Sequence, residues 1–111
     1  MFLTLYRVAA IFNNFGNLEL ATGNPKWATD NFDKAMQIWV EGGDATAIQL
    51  AITHLCMGRV HTLRRNIPDA LKSTNLAETL FLRTMGADKG FMAKYSFQRP
   101  PHHTQKRELP G

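Results

Sequence analysis

The side chains with most chemical reach fall in one run, Ala45 to Leu63, which holds His54, Cys56 and His61. Imidazole and thiolate are ligand types that zinc takes. At about 100° per residue, however, His54 and His61 share a helical face while Cys56 lies about 200° round from His54. One helix cannot bring all three to one ion, so neither a metal nor a cofactor is expected. His102 and His103, near the end of the chain, are the other histidines. Cys56 as a nucleophile would need a base and an electropositive pocket, and no pattern specifies either. No glycine-rich phosphate loop follows a strand pattern. With no convergent catalytic set, an enzyme is not expected. Arg59, Arg64 and Arg65 could meet an acidic peptide or a phosphate, although the last two also suit a solvated turn.

The elements that must position these groups are helices. Leu5, Val8, Phe12 and Phe15 recur at steps of three and four, with Gly16 continuing their face, and predict a helix from Phe2 to about Thr22. Thr22-Gly23-Asn24-Pro25 then turns the chain: Gly23 can take the left-handed conformation, Asn24 can cap the next helix, and Pro25 suits its first turn. The second helix, Pro25 to about Glu41, places Ala28, Phe32, Ala35 and Trp39 on one face. Gly42-Gly43 stops it, and Asp44 is placed to cap the third helix, Ala45 to about Leu63. That helix carries Ala47, Ala51, His54, Gly58 and His61 on one face. The fourth runs from about Ile67 to Met85, with Ala70, Ala77, Leu80 and Phe81 inside. Trp27, Phe32, Trp39 and Phe81 form aromatic stripes expected in the core.

A period runs through these helices. Gly16, Ala28 and Ala35 recur as Gly58, Ala70 and Ala77, each 42 residues later, and Asn24 recurs as Asn66. A fixed period of this size signals stacked helix pairs. The units are about 2–43 and 44–86, with a partial third, 87–97, as a fifth helix that Pro100-Pro101 prevents from continuing. Residues 98–111 lack apolar periodicity and are expected to be a disordered basic tail.

Composition sets the remaining bounds. A chain of 111 residues, 44% hydrophobic, suffices for one domain with a modest core. A single cysteine excludes an internal disulfide. With no signal-peptide pattern and no apolar run near the roughly 20 residues of a membrane span, a cytoplasmic location is expected and a membrane is not. Net charge is +4, of which Arg99, Lys106 and Arg107 against Glu108 supply +2 in the tail. The remainder is too thinly spread for the basic face that nucleic acid asks for.

The pattern Gly16, Ala28, Phe32, Ala35, partly repeated as Gly58, Ala70, Ala77, resembles the tetratricopeptide repeat. The 42-residue period and Phe12-Asn13-Asn14-Phe15-Gly16 are similar to the kinesin-light-chain type. The resemblance covers about residues 2–97. It implies an all-α superhelix, a solenoid of two helix pairs plus a partial fifth helix, whose concave face binds an extended peptide or a partner helix. It further implies that Asn13 and Asn14 point into that groove and bond a peptide backbone, with Asn17 extending the row. An amide suits that task because it offers donor and acceptor together. By period, Leu55, Cys56 and Arg59 take the equivalent surface of the second pair. Thr74 stands where Phe32 stands in the first. Two pairs are fewer than such arrays usually need, so self-association through exposed repeat ends is expected, or an origin as part of a longer scaffold. The rival reading is a nucleic-acid-associated or transcription-regulatory helical repeat domain.

Overall fold

The computed structural model describes residues 2–85. The expected fifth helix (87–97) and tail (98–111) lie outside the described residues. Those described form α1 (Phe2–Ala21), α2 (Pro25–Glu41), a short 3-10 helix (Gly43–Thr46), α3 (Ala47–Leu63) and α4 (Ile67–Met85), with no strand among them. The protein is all-α over this span. None of these helices is long and apolar enough to cross a membrane.

The two hairpin turns are copies of each other. In the first, the Thr22, Gly23 and Asn24 amides donate to the carbonyls of Leu18, Leu20 and Glu19. In the second, those of Arg64, Arg65 and Asn66 donate to Val60, Thr62 and His61, every partner being 42 residues on. Both are helix ends closed by one left-handed residue, Gly23 at φ 85° and Arg65 at φ 63°. The capping side chains differ. Asn66 accepts from the Asp69 amide at 3.3 Å and donates to its carboxylate at 2.8 Å. Asn24 makes no such cap, because its amide turns back to the Thr22 hydroxyl at 3.3 Å. Asp44 does not cap α3 either, since the 3-10 helix intervenes and places it a turn too early. At that junction the Thr46 hydroxyl instead donates to the Trp39 carbonyl, a contact that a side chain on Gly42 would block.

α1 packs along α2, α3 along α4, and α2 against α3, whereas α1 touches α3 only lightly. Ala28, Phe32, Ala35 and Trp39 are all buried, as their spacing predicts. On α1 the buried line is Ala9, Gly16 and Leu20, and the expected face is displaced: Leu5 and Phe15 are exposed and Val8 and Phe12 half-buried. Small residues carry the contact because α2 approaches closely there, driving the Phe32 ring against Gly16. Trp27 is also exposed, contrary to its expected core place. On α3 the expected Ala51 and Gly58 are buried, and so are Thr53, Cys56, Met57 and Val60. Two core clusters result. Leu20, Ala28, Phe32, Cys56, Met57 and Val60 form one, while Ala9, Ala35 and Trp39 form the other.

Candidate functional site

A hollow of about 360 Å³ lies over the line where α1 meets α3. Tyr6, Arg7, Ala10, Asn13 and Asn14 form one wall, Gln49, Ile52 and Thr53 the other, and Trp39 of α2 contributes from below. The floor is fixed by a hydrogen-bond relay. Trp39 Nε1–H donates to Thr53 Oγ1 at 3.0 Å, and that hydroxyl donates to Asn13 Oδ1 at 2.7 Å or to the Gln49 carbonyl at 2.9 Å. Three helices are thereby tied at one oxygen. Thr53 is wholly buried, so its bonds are made away from water.

The relay changes what Asn13 can do. Its oxygen is taken by Thr53. Asn13 therefore ties α1 to α3 rather than standing ready for a ligand. Asn14 is exposed on the groove wall and is the asparagine presented to solvent. Asn17 is half-buried, and its Oδ1 is buried with no hydrogen-bond partner among the described residues.

Cys56 is buried in the first core cluster and does not line the groove. Burial pushes its thiol pKa up, against the Arg59 charge and hydrogen bonds from Asn13, Asn17 and Arg59. A protonated, covered thiol is a poor nucleophile at neutral pH. Arg59 itself is exposed and lines a separate hollow with Thr62, Leu63 and Arg65. Leu55 is half-buried on α3 and does not line the groove. Of the six residues expected to bind a peptide, the structure thus places Asn13 and Asn14 on the groove, half-buries Asn17 and Leu55, buries Cys56 and turns Arg59 to a separate hollow.

Sequence reasoning passed over Tyr6, Arg7, Ala10, Trp39, Gln49, Ile52 and Thr53 as groove residues. For Thr53 a signal was present. Its counterpart 42 residues earlier is Ile11, and a hydroxyl in an apolar register position asks for a buried partner. His54 and His61 line one hollow between α3 and α4. No group of three or more His, Cys, Asp or Glu among the described residues could hold a metal ion.

Neither a protein-family model nor a curated protein nor a solved structure matches this chain.

Proposed function

We propose that this chain is a short tetratricopeptide-type repeat whose α1–α3 groove binds an extended peptide of a partner protein. The groove's build carries the reading. It is walled by the first helix of each hairpin, floored by Trp39, and edged by Arg7, Asn14 and Gln49. Amides on both walls suit a peptide backbone, which alternates donors and acceptors. Ala10 and Ile52 leave apolar room for a side chain. The bond-for-bond repetition of the two turns supports the repeat assignment. No catalytic role is proposed.

Selection from a displayed random peptide library against the full chain tests this. Enriched peptides should lose affinity with Asn14→Ala and Gln49→Ala at unchanged helicity, and should protect groove residues in nuclear magnetic resonance titration. Peptides that bind the variants as tightly as the wild type would remove the groove assignment.

Arg59 and Arg65 share one hollow, with Arg64 adjacent in sequence, and that basic corner supports the rival nucleic-acid reading. It predicts binding that falls steeply with salt and is lost when these arginines are replaced.

A further inference from the structure

The hollow of about 280 Å³ between α3 and α4 gathers two thioethers and two imidazoles from two helices. His54, Met57 and His61 follow one another at steps of three and four, so neighbouring Cβ atoms stand about 5–6 Å apart on one face of α3. Those are the steps at which a helix offers two ligands to one ion, as in His-x-x-x-His and Glu-x-x-His sites. Met36 of α2 lines the same hollow and brings the second sulfur. None of these four side chains lines the α1–α3 groove, so the cluster is separate from the peptide site.

The surroundings leave these groups uncommitted. Neither imidazole makes a hydrogen bond among the described residues, so each keeps a nitrogen lone pair for another partner. The thioethers are held in place, since Met57 is buried and Met36 packs against the first core cluster. Asp69, the carboxylate on the hollow, already accepts from the Asn66 amide at 2.8 Å.

The donor set decides which ion fits. Zinc asks for three or four thiolate, imidazole or carboxylate ligands, and no such group stands among the described residues. Thioether sulfur is a soft ligand that selects copper(I), and imidazole suits copper as well. We propose that this hollow binds one copper(I) ion between the sulfurs of Met36 and Met57, with an imidazole of the His54 and His61 pair as the third ligand. The ion ties α2 to α3. It enters and leaves as copper(I), so no electron is transferred.

Titration of the full chain with copper(I), under argon and in competition with a chromophoric copper(I) chelator, tests this. Silver(I), equally soft and inert to redox, is the second probe, and circular dichroism confirms that each variant is folded. Wild type should take one ion, and X-ray absorption at the copper edge should show both sulfur and nitrogen neighbours. Met36→Leu and Met57→Leu keep nearly the same volume. Each should weaken binding by about tenfold or more, since losing even an outer supporting group costs about 10–100-fold at metal sites. The double variant His54→Gln with His61→Gln should weaken it likewise. Cys56→Ser, and His102→Gln with His103→Gln, should bind as wild type does. Methionine variants that hold copper(I) as tightly as wild type overturn the proposal. So does wild type that takes no ion from the chelator, or binding that is lost with Cys56 or with His102 and His103.

Discussion

The Phe32 ring occupies the space that a side chain on Gly16 would need: a methyl built there would lie 2.5 Å from Phe32 Cε1. At the equivalent site of the second hairpin a methyl on Gly58 would meet Thr74 Oγ1 at 3.0 Å and the Ala70 carbonyl at 3.6 Å. The two alanine substitutions should therefore diverge. Gly16→Ala forces the ring off its seat and should cost about 1–3 kcal/mol. Gly58→Ala needs only a small shift of a threonine and gains helix propensity, so it should stay within about 1 kcal/mol of wild type. Guanidinium denaturation compares them.

Removing the hydroxyl at the relay's centre should be expensive in proportion to its burial. Thr53→Val leaves Trp39 Nε1–H and Asn13 Oδ1 without their shared partner. A loss of about 1–3 kcal/mol is expected, with Thr53→Ser close to wild type. Urea unfolding followed by tryptophan emission reads both, since Trp39 is buried and Trp27 exposed.

Arg65 holds a left-handed backbone that L residues adopt at a cost, whereas its counterpart Gly23 adopts it freely. Arg65→Gly should raise stability by about 1 kcal/mol, and Gly23→Ala should lower it by a similar amount. Thermal melts of the two variants should move in opposite directions.

Burial lowers the pKa of His54. The folded state therefore binds fewer protons than the unfolded state as pH falls from about 6.5 toward the folded value. Stability should be full above that window and decline as pH drops through it. His54→Gln should flatten the dependence of melting temperature on pH between neutrality and mild acid; an unchanged slope would assign it to another group.

Much of the helical framework is legible in the sequence because its signals are local. Gly23, Pro25 and Pro68 mark the turns and helix starts near them, and Ala28, Phe32, Ala35 and Trp39 give the buried face of α2 directly. The face of α1 misleads because counting large apolar residues favours Leu5 and Phe15, while close packing selects Ala9 and Gly16. The roles of Asn13 and Cys56 depend on partners from another helix. Asn13 resembles Asn14 until Thr53, 40 residues away, takes its oxygen. Capping by Asn24 and Asp44 failed for a similar reason: what decides is where a neighbouring hydroxyl or an extra 3-10 turn sits.

Among the described residues, the main helix interfaces join elements adjacent in the chain: α1 with α2, α2 with α3, α3 with α4. Wiring this local leaves few large loops to close before contacts reward the search, and places the chain among fast folders, on the order of microseconds to milliseconds. It also divides the molecule unequally. The first hairpin has an aromatic ring locked against glycine, and the second has a threonine in that place. Amide exchange should therefore start at α4 and reach the α1–α2 hairpin last, with the protein opening from one end.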